Sequence, residues 1–293
     1  MDDFFIFVVI LKEEKMIRYT VTILLLLSTI VTLAQKKETI KGSKTVTIEQ
    51  KEIDNFDALE VGDNIEVYLD RGEKSELKIE ADENLHSIIT IDLDSKTLRV
   101  FSSKEATNYK KLIVRITYTN DLKIITAKNN AVINAIQEIQ LNEITVKTFD
   151  NSKLYLNVNT KNFILQSNDK SKTELNLKSE NATVELSKYS ELKALIASDE
   201  FKCDLYQKSK AILEGDVNKA NIRLDNNAQF TGNNLVIKNA ELIAESYSKC
   251  SINTSLGLSI EASGNSEIQI YGDQKIEMKK FIEAATLIKK PTK

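Results

Sequence analysis

The chain is poor in the residues that usually carry chemistry and in those that usually break structure. One histidine, two cysteines and no tryptophan stand among its 293 residues, with one proline and eight glycines. The single imidazole, His86, has no second histidine with which to hold a metal and no serine or aspartate pattern around it to make it a base. There is no phosphate loop, no nucleophile elbow and no Cys-x-x-Cys, so no catalytic residue, metal or cofactor is expected. An excess of one charge is also missing. Forty Lys and Arg against 43 Asp and Glu leave a net charge of −3, without the basic surplus that neutralising phosphates requires, and no nucleic-acid partner is expected. The shortage of proline and glycine leaves no linker. Residues 35–293 therefore read as one continuous domain, with apolar residues making up 42% of the chain as material for a core.

Long apolar runs are scarce too. The clearest one, Val21 to Leu33 in "MIRYTVTILLLLSTIVTLAQ", falls short of the roughly 20 residues that span a bilayer. It follows Arg18 and leads into Thr32, Ala34 and Gln35, the layout of a secretory signal peptide cleaved after Ala34. Residues 1–34 are read as that signal. The acids of "MDDFFIFVVILKEEK" do not belong in its basic lead, and a start at Met16 rather than Met1 accounts for them. No cysteine follows Ala34, so no lipid anchor is expected there. Membrane contact is then limited to the signal segment during export, and the protein is expected in the periplasm or on the outer cell surface.

What the chain does have is an echo. "DNSKLYLNV" at 150–158 returns as "DKSKTELNL" at 169–177. Aligned on the serine, the echo becomes a ladder of Ser152, Ser171, Ser190, Ser209, Ala228, Ser248 and Ser266, with steps of 18 to 20 residues. Eight residues before these anchors stand Ile144, Phe163, Ala182, Phe201, Ala220, Ala240 and Leu258. Six before stand Val146, Leu165, Val184, Cys203, Ile222, Leu242 and Ile260. Both columns are apolar throughout, and the columns between them are mostly polar. Such alternation means two strands per repeat, each with one face inward. A period near 19 suits one coil of a β-solenoid, in which stacked repeats bury a core that no single repeat could bury. The fold class expected is all-β, a right-handed parallel β-helix. Its repeats are clearest over 129–272, with one looser coil around Ala131. Residues 46–119 carry strand patterning without the register, and the chain is expected to leave the ladder after Ile270 and cap the open end with 273–293.

Three stretches, "NFDALEVGDNIEVYLDRGEKSELKIEADENL" (55–85), "LIVRITYTNDLKIITAKNNAVI" (112–133) and "GNSEIQIYGDQKIEMKKF" (264–281), resemble the head-GIN domain proteins, exported proteins common in Bacteroidetes and labelled autotransporter adhesins. The resemblance covers about residues 45–285. It implies an exported β-helical fold and no established activity. The chain departs from the family's Gly-rich turns by placing Asn, Lys and Tyr there.

Candidate sites are few. Cys203 and Cys250 sit in inward columns three coils apart, about 14 Å along the axis at about 4.8 Å per coil. A disulfide needs Cα atoms within about 7 Å, so both are read as buried free thiols. Asp150 and Asp169 share a turn column, and Glu185, Asp204 and Arg223 share an outward one. Paired acid/base hydrolysis would need two carboxyls about 5 to 10 Å apart in a groove built by long loops, and these repeats are too regular to build one. Lys153, Lys172, Lys210 and Lys249 line an outward column diluted by Glu191 and Glu267. This is the one candidate ligand stripe, suited to an anionic glycan or surface polymer or simply to solubility. Asn157, Asn176, Asn233 and Asn253 line another, able to bind sugars or to bond along the stack.

The function expected is that of a non-enzymatic exported binding module, adhesin-like or structural, with a glycan or another envelope protein as partner and a homo-oligomer left open. The alternatives are a polysaccharide lyase or hydrolase on the same scaffold, and an envelope signalling accessory that binds another protein. Mass spectrometry of the protein from its native envelope should find Gln35 at the N-terminus; an intact Met1 or Met16 would contradict the export reading.

Overall fold

A fixed period combined with alternating side chains forces one arrangement on the repeats. Each must lie beside the next in register, or its inward face is left wet. The computed structural model describes residues 37–291. The chain divides after Glu38, and the second unit, Thr39–Lys293, carries the fold; the signal segment expected at 1–34 lies outside the described residues. In chain order the strands are β1 (Thr39–Lys41), β2 (Val46–Glu52), β3 (Ala58–Val61), β4 (Glu66–Arg71), β5 (Glu76–Asp82), β6 (Ile89–Asp94), β7 (Thr97–Ser102), β8 (Glu105–Thr107), β9 (Leu112–Tyr118) and β10 (Ile124–Ala127). The long strands follow: β11 (Val132–Thr148), β12 (Lys153–Ser167), β13 (Lys172–Leu186), β14 (Glu191–Leu205), β15 (Lys210–Leu224), β16 (Gln229–Ala244) and β17 (Lys249–Ala262). Three short ones, β18 (Glu267–Tyr271), β19 (Lys275–Phe281) and β20 (Thr286–Lys289), close the chain.

From β11 to β17 every neighbour is parallel. Leu165 lies beside Val184, Val184 beside Cys203 and Cys203 beside Ile222, so the column six before the anchors is a physical stack. The result is a β-solenoid of about nine turns with coils of about 19 residues. Within β12 the alternation changes phase at Lys161 and Asn162, both exposed, and the ladder skips Lys161 and Glu180. This corner splits each coil into a first arm (153–160 in β12) and a second arm (162–167). Leu154, Leu156 and Val158 from the first arm and Phe163 and Leu165 from the second are all buried. Bulk alternates along the axis: Phe163, Ala182, Phe201 and Ala220 form one stack, and each ring fills the space its small neighbour leaves.

A four-residue turn closes each coil and explains the anchors. Ser152, Ser171 and Ser190 each donate a hydroxyl hydrogen bond of 2.8 Å to the carbonyl three residues back, and all three are fully buried. The turn also needs a left-handed residue. Asp169, Lys188, Asn226 and Ser246 supply it with φ of 61°, 57°, 56° and 58°, where Asn and Asp are tolerated and a lysine bears a cost of about 1–2 kcal/mol. Between Ala228 and Ser248 the coil has one extra residue, and register shifts at Ile212/Glu214 and Gly232/Val236 absorb it.

Before Val132 the period vanishes from the sequence, yet coils continue. β3 pairs in parallel with β10, and β4 with the start of β11, so residues 58–71 form a coil. Beyond it lie β7, parallel to β3, and β9, parallel to β4. The outermost coil is thus built from residues later in the chain than the coil it covers. Antiparallel strands finish this head: β2 on β5, β5 on β9 and β6 on β7. Asp82, fully buried, ties it together. Burial would raise its pKa, but its carboxylate accepts backbone N–H bonds from Lys44 at 2.8 Å and from Lys110 and Lys111 at 3.0 Å, and these hold the pKa below the ordinary aspartate value.

The tail corrects the expectation that the chain leaves the ladder after Ile270. β19 lies parallel to β17 with Ile276 beside Leu258 and Met278 beside Ile260, and β20 lies parallel to β18 with Leu287 beside Ile268. Residues 273–289 are one more coil rather than a cap. The sequence pattern blurs there for two reasons: a register shift after Ile260 changes the phase, and among the described residues no further rung lies on β19, whose inward positions are exposed.

Adjacent residues of the second arm should respond oppositely to substitution. Leu165→Asp should cost more than about 4 kcal/mol or abolish folding, because it removes apolar burial and buries an unpaired carboxylate. Gln166→Asp, on the exposed side, should stay within about 1 kcal/mol. Urea unfolding measures both.

Candidate binding face

The solenoid offers two broad outward faces, one per arm, and they differ in chemistry. Across β12 to β15 the second arm presents Asn162, Gln166, Glu185, Lys202 and Arg223, with Ile164 the one large apolar side chain exposed among them. The first arm instead exposes Ile136 (76%), Leu195 (53%), Ile212 and Tyr155. These four surround a shallow depression of about 550 Å³, together with Asn176 and Lys193. Glu174 and Lys193 occupy the rungs between Tyr155 and Ile212, so the four stand at the two ends of the depression with polar groups between. Large apolar groups on an outward strand face are nevertheless the unusual feature of this surface, because solenoid outward positions are otherwise free to be polar.

The lysine column borders this patch. Lys153 and Lys172 are direct neighbours, and Glu191 separates Lys172 from Lys210. Lys172 pairs with Glu191 at 3.1 Å and Lys249 with Glu267 at 3.1 Å. Two of the four predicted stripe residues are therefore held by glutamates on the next rung, and no unbroken cationic stripe forms. Lys153 stands two residues from Tyr155 on the same face. The asparagine column is interrupted as well. Asn176 donates to the Asn157 side chain at 3.2 Å and Asn253 to the Asn233 carbonyl at 3.2 Å, while Leu195 and Glu214 occupy the rungs between.

The carboxylates considered for catalysis are engaged locally. Asp150 accepts the Asn129 N–H at 3.0 Å, and Asp169 accepts the Lys188 ammonium at 2.5 Å. The Lys188 bond holds the Asp169 pKa below the ordinary value, the wrong direction for a general acid. Glu185, Asp204 and Arg223 are successive rungs, but Asp204 pairs with Lys202 and Arg223 with Glu245, each at 3.1 Å. A second depression, about 580 Å³, follows the corner between the arms past Lys161, Glu180, Asp199 and Lys238. Its buried hydroxyls are engaged within the corner: Ser179 donates to Ser198 at 3.2 Å, Ser198 to the Glu200 carbonyl at 2.9 Å and Thr160 to the Asn162 carbonyl at 3.4 Å, so they stiffen the corner rather than presenting a nucleophile. His86 lies in a 3-10 turn (Glu83–Ile88), with Nε2 2.9 Å from the Thr47 hydroxyl and Nδ1 3.3 Å from Glu49. Among the described residues no three His, Cys, Asp or Glu side chains gather as metal ligands.

The model of the family described as "Putative auto-transporter adhesin, head GIN domain" matches residues 55–195 and 170–273. The chain belongs to the head-GIN domain family. Its coils are similar to crystal structures of a "putative adhesin" from Parabacteroides merdae (20% identity, TM-score 0.60, covering 86% of this chain and 99% of that one) and of a "putative adhesin" from Parabacteroides distasonis (14%, TM-score 0.61, 87% and 98%). A "putative lipid binding protein" from Parabacteroides distasonis is similar as well (16%, TM-score 0.61, 86% and 99%). At these identities the likeness is one of fold. No curated protein matches the chain.

The head-GIN patterns marked strands and missed the apolar patch. A signal for it existed in the ladder: Leu195 and Ile212 are apolar residues in columns whose other members are mostly polar. The inward thiols were legible, and both cysteines are buried and free, with burial pushing each thiol pKa up. Neither should react with an alkylating reagent in the native protein at neutral pH, and both should be labelled after denaturation without reductant. Protection of the pair that only reductant reverses would contradict the coil count.

Proposed function

We propose that this head-GIN protein is an exported, non-enzymatic, adhesin-like binding module of the cell envelope whose ligand seats on the outward face of the first arm. The observation that carries this reading is the exposed cluster of Ile136, Tyr155, Leu195 and Ile212. Leaving four large apolar side chains in water on one face, while the other face is polar, has no folding benefit. Exposed apolar side chains interspersed with charged and amide groups suit a protein-binding surface, where the apolar groups supply affinity and the polar ones set orientation. An envelope or cell-surface protein is therefore the partner favoured here, with Glu174, Lys193 and Glu214 of the depression placed to meet charged groups of either sign. The family's adhesin description supports binding over catalysis, and the engagement of the candidate carboxylates with neighbouring cations supports the same division.

A glycan is the second reading, and it has its own observation. Tyr155 offers an aromatic face beside the Asn157 and Asn176 amides, groups able to stack on and hydrogen-bond a sugar. The two readings separate by substitution. Leu195→Asp and Ile212→Lys alter exposed positions and should change stability by no more than about 1 kcal/mol. If the partner is a protein, each should reduce its capture at least tenfold, while Asn176→Ala has little effect. If the ligand is a glycan, binding on an array should follow Tyr155 and Asn176 instead. Binding that survives all of these substitutions would place the ligand elsewhere and contradict the proposal.

A further inference from the structure

Arg71 stands where the fold does not call for a charge. It ends β4, in which Val67 and Leu69 are buried and Arg71 is next in the same inward alternation. Its neighbour on β9 is the buried Tyr118. The corner between the arms lets the long side chain out, and Arg71 is exposed. Its guanidinium donates to the Asn120 side-chain oxygen at 2.7 Å and to the Gln140 side-chain oxygen at 3.4 Å. Both acceptors are neutral, and no ion pair joins Arg71 to a carboxylate among the described residues. That sets it apart from Arg99, Arg115 and Arg223, which pair with acids at 3.2, 3.2 and 3.1 Å.

The guanidinium opens onto a depression of about 640 Å³ lined also by Asn120, Gln140, Asn142, Asn159, Leu122 and Leu141. The other cation of this depression is neutralised, since Lys123 pairs with Glu143 at 3.6 Å. Glu138 accepts the Gln140 and Asn159 amides at 2.6 and 3.4 Å and does not line the depression. A further depression that Arg71 borders carries Glu73 and Asp121, which leaves the 640 Å³ side for an anion. An open guanidinium among amides selects its ligand in two ways. The planar fork matches a carboxylate with two parallel hydrogen bonds, and one uncompensated charge is too little for a polyanion such as nucleic acid. The amides both donate and accept, as sugar hydroxyls do, while Leu122 and Leu141 meet the C–H face of a ring.

We infer that Arg71 is the seat of an acidic sugar, its carboxylate on the guanidinium and its hydroxyls on the surrounding amides. Leu141 and Asn159 also line the corner depression of about 580 Å³, so a glycan seated at Arg71 continues along the corner. There Lys161, Lys178 and Lys238 are balanced by Glu180, Asp199 and Asp216, and this balance suits neutral sugars. The ligand is thus an oligosaccharide with one carboxylate-bearing unit followed by neutral ones. The site shares no lining residue with the first-arm depression, so the two are tested separately.

Isothermal titration calorimetry on the full chain tests this, with sialyllactose and a trisaccharide ending in glucuronic acid as probes. The expected result is binding of at least one of them that weakens at least tenfold when its carboxyl group is reduced to an alcohol. Arg71→Gln should abolish that difference, and Arg71→Lys, which keeps the charge and loses the fork, should fall between. Asn142→Asp sets a like charge beside the carboxylate at an exposed position and should weaken binding at least tenfold with the urea midpoint unchanged. Arg223→Gln should leave binding intact. Failure of both acidic trisaccharides to bind at millimolar concentration, equal binding of their carboxyl-reduced forms, equally tight binding of a tripeptide through its C-terminal carboxylate, or binding that both Arg71→Gln and Asn142→Asp retain would each overturn the proposal.

Discussion

Parallel stacking of one coil on the next is the interaction on which everything else in this protein rests. A single coil has seven or so inward side chains and no second layer to bury their upper and lower edges. Phe163 is covered only because Ala182 and Ile144 sit on adjacent rungs, and the same holds for Phe201 between Ala182 and Ala220. Stability is then close to a sum of nearest-neighbour contacts. This makes the ends the weak points, and at the head antiparallel strands and the buried Asp82 finish the stack. The turns obey the same logic, since from Ser152 to Ser248 the anchor's backbone N–H closes each turn on the carbonyl three residues back, and at Ser152, Ser171 and Ser190 the hydroxyl adds a second bond to the same carbonyl.

Because the inward columns and the turn do the folding, the outward columns are released from it. The polar second arm shows what such a surface becomes when only solubility acts on it. The first arm departs from that baseline at Ile136, Tyr155, Leu195 and Ile212. Function in this fold is thus recognised as a deviation from a regular background rather than as a cleft or a catalytic set.

How much of this was legible in the sequence depended on whether a residue repeats its environment. The columns through Leu165 and Ile144 could be read because seven coils restate them, and the cysteines could be placed by counting rungs. The outermost coil could not be read, because β7 and β9 cover β3 and β4 at separations of 39 and 47 residues, and a single coil laid down out of order leaves no period. The tail was misread where a one-residue register shift changed the phase just as burial ceased to enforce it. Of the candidate site, the lysine column was visible but not its pairing with Glu191 and Glu267, which depends on side-chain reach between rungs. Of the exposed apolar residues, Leu195 and Ile212 were open to reading as exceptions in polar columns, whereas Ile136 lies in the irregular stretch of β11 between Ala135 and Ile139, where the ladder shifts register.

The central claim is that residues 19 apart stand one rung apart along a straight axis. Pulsed electron spin resonance between nitroxides on introduced cysteines tests it directly, since the native thiols are buried and do not label. With one label at Lys153 and the other at Lys210, Gln229 or Lys249, the mean distance should rise by about 4.8 Å per rung, reaching about 24 Å for the five rungs to Lys249. Distances that fail to rise with rung number, or that place Lys249 as near to Lys153 as Lys210 is, would contradict the stacked solenoid.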